Sequence, residues 1–142
     1  MTQPRGPARE TVYALSLKQP WAALLVHGKK TIEVRSWPTA RRGRILIHAA
    51  RVSDPRPEAW QRVPAELLDA AHLTGGIIGA ANLTGLVRYR TRTEFAGDRA
   101  RHLNEPAWFE RPPLYGFVFA QAEAMPFRRF PGWMRFFPVE AG

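Results

Sequence analysis

The hydrophobic and polar positions alternate with period two along several segments of the chain. Such alternation is typical of strands, because successive side chains of a strand point to opposite faces. Strands are therefore predicted at residues 11–18, 31–37, 44–50, 75–90 and 114–125, with one or two closing strands within 127–140. In the long strand 75–90, Gly79 and Gly85 are candidate points at which a barrel wall bends.

Helical patterns are confined to the connections between these strands. The apolar run WAALLVH lies between Pro20 and Gly28, which predicts a two-turn helix closed by the glycine. Pro57 and Pro64 mark the predicted starts of a broken helical pair. Residues 91–113 are polar without a sustained period, so this segment is expected to be a long excursion with one helical turn.

The order of these elements predicts the fold class α+β. The strand spacings are too short for right-handed βαβ units, which favours a small, mostly antiparallel β-barrel with helices in two insertions. Such a barrel has a ligand cleft lined by strand ends and loops. The 142 residues suffice for one domain. It is placed at 12–139, with 1–11 as a flexible leader and 140–142 as a tail.

Composition argues against several classes of function. The chain contains no cysteine, which excludes a disulfide framework, a thiolate nucleophile and a thiolate metal site. Its four histidines are scattered without a His-x-x-x-His pair, and no nucleotide-binding glycine loop is present, so neither a metal nor a cofactor is expected. No stretch approaches the roughly 20 apolar residues that cross a bilayer, so a cytoplasmic location is expected.

Positive charge is concentrated in the first third of the chain. The formal net charge is +9 and the sequence pI is about 11.2. Residues 1–52 contain ten lysines and arginines against two glutamates, whereas residues 53–142 are nearly neutral. All three lysines, Lys18, Lys29 and Lys30, lie in this first part. A localised basic face indicates a partner that carries phosphates, such as nucleic acid.

The stretch GKKTIEVRSW combines this charge with a short strand. Period two places Glu33 and Arg35 on one face, with Lys30 at the mouth of the strand. A glutamate between two cations stays ionised, and it can read a base amine or accept a proton. Trp21 and Trp37 bracket the segment and offer aromatic faces on which a base can stack. The alternative is a buried ion-pair cluster that braces the helix against the strand, with the tryptophans in the core.

Residues 16–37, SLKQPWAALLVHGKKTIEVRSW, resemble the ASCH domain family. Its hallmark spacing Gly-x-Lys-x-x-Glu-x-Arg is met by Gly28, Lys30, Glu33 and Arg35. The resemblance continues, with less specific motifs, to residue 139, and it is to the type found in a eukaryotic transcription coactivator and in stand-alone bacterial proteins. It implies a PUA-like β-barrel, a fold used for RNA binding, with the hallmark residues in a cleft beside the first helix.

The leading hypothesis is binding of RNA or another single-stranded nucleic acid, or of a nucleotide-like small molecule. The residues expected to line the cleft are Lys18, Gln19, Trp21, Lys30, Glu33, Arg35, Ser36 and Trp37. The residues expected to contact phosphates are Lys29, Arg41, Arg42 and Arg44. The sequence identifies no protein partner.

Two hydrolytic activities, both implied by the resemblance, are the alternatives. A ribonuclease needs a base for the 2′-hydroxyl and cations for the phosphate, and Lys30, Glu33 and Arg35 are its candidate catalytic residues, without a bound metal. A small branch of the family hydrolyses N4-acylated cytidine and has a threonine nucleophile where this chain has Glu33. Thr31 is offset from that position by two residues, so the amidohydrolase activity is the less expected one.

Overall fold

The computed structural model describes residues 11–140. Apart from Thr11 and Glu140, the predicted leader (1–11) and tail (140–142) lie outside the described residues. The described part forms six strands, which are β1 Val12–Leu17, β2 Ile32–Arg35, β3 Gly43–Ala49, β4 Gly76–Tyr89, β5 Leu114–Arg129 and β6 Phe136–Val139. Each strand segment predicted from the alternating pattern overlaps one of these strands.

Five short helices and two 3₁₀ turns connect the strands. The helices are α1 Trp21–Val26, α2 Pro57–Trp60, α3 Leu68–Ala71, α4 Arg92–Gly97 and α5 Arg99–His102. The 3₁₀ turns are Ala65–Leu67 and Pro106–Trp108. Within the described range, no helix is both long enough and apolar enough to span a membrane.

The six strands form one mixed sheet in the order β2-β5-β4-β3-β1-β6, curved into a half-barrel. Four of the five strand pairs are antiparallel, which confirms the predicted α+β, mostly antiparallel, PUA-like architecture. The parallel pair, β1 with β3, was not predicted. After β1 the chain passes through α1 and forms β2 at the far end of the sheet, beside β5. It then returns to lie beside β1 as β3, which runs in the same direction as β1.

Helix α1 is the element that positions the hallmark motif. All six of its residues are buried, so it is an internal helix rather than an amphipathic surface one. Gly28 follows it with φ +76°, the left-handed conformation that favours glycine, and closes the helix as predicted. The backbone amides of Lys29 and Lys30 then both donate to the Leu24 carbonyl, at 2.9 and 3.0 Å. This tight closure leads the chain directly from α1 into β2.

Strand β4 gives α1 room to pack on the sheet. A Cβ atom on Gly79 would lie 2.6 Å from Cγ1 of Val26, so only glycine allows this close approach of helix and strand. The β4–β5 register shifts between Ile77 and Gly79 and again between Leu83 and Gly85. The two glycines predicted to bend the strand therefore lie at irregularities of the ladder.

The first insertion contains the predicted broken helical pair, and Pro57 occupies the first turn of α2. The second insertion is more helical than predicted. Thr91 begins α4 with a capping box, in which its hydroxyl accepts from the Glu94 amide at 3.2 Å and the Glu94 carboxylate accepts from the Thr91 amide at 3.0 Å. The sequence Thr-x-x-Glu carried this signal, but the absence of a longer helical period concealed it.

The end of the chain also differs from the prediction. Strand β5 continues past Pro126 to Arg129, since residues Arg128 and Arg129 still pair with Ile77 and Gly76 of β4. One closing strand, β6, then pairs with β1. The segment between β5 and β6 crosses one face of the domain, close to β1 and β3.

Candidate functional site

An open cleft of about 490 Å³ lies beside α1 and contains the hallmark residues. We call it the Glu33 cleft. Of the eight residues expected to line it, all but Gln19 do so, namely Lys18, Trp21, Lys30, Glu33, Arg35, Ser36 and Trp37. The remaining lining residues are Ser16, Val34, Ala50, Asp54, Arg56 and Asn104. Contact of these side chains with a ligand stays a prediction.

The floor of the Glu33 cleft is an ion cluster of three side chains. Oε2 of Glu33 accepts hydrogen bonds from Nε of Arg35 at 3.1 Å and from its Nη2 at 2.8 Å. Oε1 of Glu33 lies 3.4 Å from Nζ of Lys30. Nη2 of Arg35 also donates to the Ser16 carbonyl at 2.7 Å. The carboxylate is therefore held between two cations, and Arg35 links β2 to β1.

Lys30 is buried and lines the Glu33 cleft. The residue is 1% exposed, and its Nζ donates to the His102 carbonyl at 2.7 Å and lies 4.9 Å from the centre of the Trp21 ring. Burial lowers the pKa of Lys30, and Glu33 partly opposes this shift. Lys30 therefore releases its proton more readily than an unperturbed lysine does.

The wall beside Trp21 is built from the two insertions. Nε1 of Trp21 donates to Oδ2 of Asp54 at 2.9 Å, and Nη2 of Arg56 donates to the same oxygen at 2.7 Å. The Arg56 guanidinium lies 3.5 Å from the centre of the Trp108 ring. Burial favours the neutral form of Asp54, but hydrogen bonds from Arg56 and Trp21 outweigh it and lower the pKa of Asp54 to about 2. Asp54 is thus ionised at neutral pH.

The sequence did not reveal this wall. Asp54, Arg56 and Trp108 belong to segments far from the hallmark motif in sequence, and His102 contributes only a backbone carbonyl. The turn sequence Asp-Pro-Arg-Pro is an ordinary loop signal, and nothing in it specifies a tryptophan partner on α1. Only the tertiary structure brings these groups to the cleft.

Trp37 also lines the Glu33 cleft. Its ring is half-buried, edge-on to Phe117 and Phe136 with centroid distances of 5.0 and 5.6 Å. The Arg135 guanidinium lies 4.9 Å from the Trp37 ring centre. Trp37 is therefore partly a packing residue and partly a cleft residue, and both interpretations of the sequence apply to it.

Gln19 does not line the cleft. Its side chain is fully buried, its Nε2 donates to the carbonyls of Ala70 and Leu73 at 3.0 and 2.9 Å, and its Oε1 accepts from the Ala23 amide at 3.0 Å. Gln19 thus joins the start of α1 to the end of the first insertion. The structure therefore places Gln19 behind the wall of the cleft, whereas the sequence predicted that it would line the cleft.

Replacing Gln19 with alanine is expected to reduce the free energy of unfolding by about 2 kcal/mol, because buried backbone groups lose their partners. Urea denaturation measures the change. The matched control is Gln61→Ala, at an exposed glutamine, which is expected to change stability by at most about 0.5 kcal/mol. Equal stability of the Gln19 and Gln61 variants would contradict a bracing role for Gln19.

The four residues expected to contact phosphates lie outside the Glu33 cleft. Lys29 and Arg42 are exposed, and Arg41 places its guanidinium 3.8 Å from the centre of the Tyr13 ring. Arg44 forms an ion pair with Glu123, with 2.7 Å between Nη1 and Oε1. The structure does not bring these cations together with the cleft, whose own cations are Lys18, Lys30, Arg35 and Arg56.

The described residues contain no group of three or more histidine, aspartate or glutamate side chains that could hold a metal ion. The side chains that line the Glu33 cleft include two carboxylates, two amines, two guanidinium groups and two tryptophans.

Comparison with protein families decides the relationship that the hallmark spacing suggested. The model of the family described as "ASCH domain" matches residues 15–125, well over half of the chain. The chain belongs to the ASCH domain family. The matched region extends from β1 into β5 and includes every residue that lines the Glu33 cleft.

Activating signal cointegrator 1 of Homo sapiens and that of Mus musculus are each 52% identical to this ASCH chain over 53 residues. The aligned segment is 37% of this chain and 9% of each relative. The chain therefore spans only a small part of the length of these curated relatives.

The fold is also that of a solved bacterial ASCH protein. The crystal structure of ASCH from Zymomonas mobilis matches with a TM-score of 0.65 and 19% identity, covering 90% of this chain and 87% of that one. A variant of the Zymomonas protein matches with a TM-score of 0.66 and 18% identity, covering 92% and 91%. At such identities the likeness establishes the ASCH fold alone.

Proposed function

We propose that this ASCH domain binds single-stranded RNA and receives one base in the Glu33 cleft. The family is associated with nucleic-acid binding, which makes this ligand class the first to test. The volume of about 490 Å³ is within the range of about 300–1,000 Å³ that is typical of ligand sites.

The observation that carries the proposal is the unused hydrogen-bonding capacity of the ion cluster. Nε and Nη2 of Arg35 donate hydrogen bonds within the protein, whereas Nη1 donates to none of the described residues. Oε1 of Glu33 faces Lys30 at 3.4 Å and retains a free lone pair. A fixed donor thus lies beside a fixed acceptor, which suits the edge of a base. The amines of cytosine and adenine are the groups that such an acceptor reads.

The rim of the cleft supports the phosphate side of the proposal. Lys18 is exposed at the rim, and the side chain of Arg56 is 45% exposed although it is paired with Asp54. Cations at the rim can collect the phosphates of a strand whose base is inside. A purely structural ion cluster would need neither the open volume nor these rim cations.

The first test is the salt dependence of binding to single-stranded RNA. If phosphates supply most of the affinity, log K is expected to fall linearly with log salt concentration at about 0.7 per phosphate, and about four contacts give a slope near −3. Fluorescence anisotropy of a labelled oligonucleotide measures it. A flat salt dependence, or no binding at low salt, would contradict the proposal.

A variant separates base recognition from charge attraction. Glu33→Gln keeps the shape of the side chain but removes its charge, and Glu123→Gln makes the same change at an exposed glutamate outside the cleft. We expect Glu33→Gln to weaken RNA binding about tenfold, the loss of one charge-assisted hydrogen bond, and Glu123→Gln to have no such effect.

Ribonuclease activity is the second candidate, favoured by one observation. The lowered pKa of the buried Lys30 makes its amine a possible base for a 2′-hydroxyl, with Arg35 available to the phosphate. Intact RNA after long incubation, with and without divalent cations, would remove this candidate. Amide hydrolysis of N4-acylated cytidine has less support, because Thr31 does not line the cleft and Glu33 occupies the position of the threonine nucleophile.

A further inference from the structure

A second and larger cleft, of about 860 Å³, adjoins the Glu33 cleft. We call it the Trp133 cleft. The two clefts share Ser16, Lys18 and Ala50, so Lys18 stands at their boundary. The far wall of the Trp133 cleft is the segment Phe130–Met134, which connects β5 to β6.

The Trp133 cleft combines exposed apolar side chains with positive charge. Trp133 is 66% exposed and Met134 is 89% exposed, which is unusual for such large apolar residues. Lys18, Arg51 and Arg129 also line this cleft, and no carboxylate does so among the described residues. An exposed aromatic ring among unopposed cations is the arrangement that single-stranded nucleic acids recognise, with bases on the ring and phosphates at the cations.

The segment that carries Trp133 is fixed to the sheet by a buried histidine. Nε2 of His48 lies 2.7 Å from the Phe130 carbonyl, and because a carbonyl can only accept, this nitrogen carries the proton. Nδ1 of His48 therefore accepts from the Ser16 hydroxyl, at 2.9 Å. A Cβ atom on Gly132 would lie 2.7 Å from Cε1 of His48, so the segment lies directly on the imidazole. The segment Phe130–Met134 is thus held in place in the absence of a ligand.

We propose that the Trp133 cleft binds the nucleotide adjacent to the one in the Glu33 cleft. Its base stacks on Trp133, and the phosphate between the two nucleotides lies at Lys18, on the boundary. This inference rests on the proposed function and extends it, because it makes the ligand a single strand of at least two nucleotides. A base-paired duplex is excluded, since its bases cannot enter two separate clefts.

Charge complementarity favours this occupant over an apolar peptide. A peptide helix or strand would bury Trp133 and Met134 equally well, but it would leave Lys18, Arg51 and Arg129 desolvated without a counter-ion. The phosphates of a nucleic-acid strand supply that counter-charge. Binding of an apolar peptide is therefore an outcome of the test rather than a second proposal.

The test compares ligands of different length on variants of the full chain. Wild type, Trp133→Ala, Trp133→Phe and Phe127→Ala are titrated with a nucleoside monophosphate and with a single-stranded hexanucleotide. Trp133→Ala is expected to weaken hexanucleotide binding about tenfold and to leave mononucleotide binding within about twofold of wild type, since only the longer ligand reaches the second cleft. Trp133→Phe keeps a stacking face and is expected to recover most of the loss. Phe127→Ala, which removes a 42% exposed aromatic ring outside both clefts, is the control.

The outcomes distinguish this inference from the proposed function. If hexanucleotide binding is weakened by Glu33→Gln but not by Trp133→Ala, the proposed function stands and the Trp133 subsite is overturned. If neither ligand binds, both are overturned. If an apolar peptide binds wild type but not Trp133→Ala while RNA binding is unchanged, the cleft belongs to a protein partner and the inference is wrong. Since Trp133 is exposed, circular dichroism is expected to show an unchanged fold in every variant.

Discussion

Replacing Glu33 with alanine is expected to lower the free energy of unfolding by about 3 kcal/mol, because it leaves two cations without their shared counter-ion. The Lys30 side chain is 1% exposed and that of Arg35 is 20% exposed, so water cannot replace the carboxylate at Lys30. Removing one partner of a buried ion pair typically costs about 3–5 kcal/mol. The lower end applies here because Arg35 is partly solvated and keeps its bond to the Ser16 carbonyl.

The matched control for this substitution is Glu123→Ala. Glu123 pairs with Arg44 at 2.7 Å, as close as Glu33 approaches Arg35, but the side chains of Glu123 and Arg44 are 53% and 50% exposed. Exposed pairs contribute at most about 1 kcal/mol. Urea denaturation of both variants therefore distinguishes the effect of burying an ion pair from the effect of the distance between its charges. Similar losses in the two variants would contradict the assignment of the cost to the buried Lys30.

The pH dependence of the Glu33→Ala loss identifies the responsible group. Burial lowers the pKa of Lys30 in the folded state, so between that pKa and the unfolded value of about 10.4 the unfolded chain binds more protons and stability rises with pH. Glu33 opposes this lowering, so Glu33→Ala lowers the pKa of Lys30 further. The range in which stability rises with pH therefore begins at a lower pH in the variant. We expect the gap between variant and wild type to shrink from pH 7 to pH 10. A gap independent of pH would assign the cost to Arg35 instead.

Replacing Phe95 with alanine is expected to have the largest effect, a loss of about 4 kcal/mol in the free energy of unfolding. Phe95 is 1% exposed, and its ring stacks on His102 at a centroid distance of 4.2 Å and meets Tyr89 edge-on at 5.5 Å. Truncating a buried phenylalanine typically costs about 3–5 kcal/mol, from lost burial and the cavity that remains. Thermal and urea denaturation measure the loss.

Phe95→Ala is also expected to weaken ligand binding at the Glu33 cleft, although Phe95 does not line it. The ring packs on His102, whose carbonyl accepts the hydrogen bond of Lys30, so a looser insertion releases the buried amine. Phe127→Ala is the control, since that ring is 42% exposed and is expected to cost about 1 kcal/mol or less. A Phe95 variant that loses stability but binds mononucleotide as wild type does would show that the insertion does not position Lys30.

The central part of the site could be predicted because it is local in sequence. Glu33 and Arg35 are two residues apart on one strand, so the period of the strand alone places them side by side. The closure of α1 by Gly28 likewise follows from the chemistry of glycine and brings Lys30 to the start of that strand. These inferences needed no knowledge of the rest of the fold.

The parts that were missed depend on contacts between distant segments. Lys30 is three residues from Glu33, yet its Nζ also donates to the carbonyl of His102, in an insertion whose helices the polar pattern obscured. Gln19 was assigned to the cleft because it lies between Lys18 and Trp21, but its side chain points toward Ala70. The parallel pairing of β1 with β3 depends on where β2 lies, and no local pattern specifies that position.

The position of Arg35 has a consequence for the chain's behaviour toward other copies of itself. Strands β2 and β6 are the two outer strands of the sheet, and outer strands with unpaired backbone groups can recruit another chain. Arg35 on β2 bonds to β1, and Trp37 packs against Phe136 of β6, so the side chains of the cleft join the two borders of the open sheet. Arg35 and Trp37, which would contact a ligand, thus also hold the two outer strands of the sheet together. Substitutions of these two residues risk self-association as well as loss of binding.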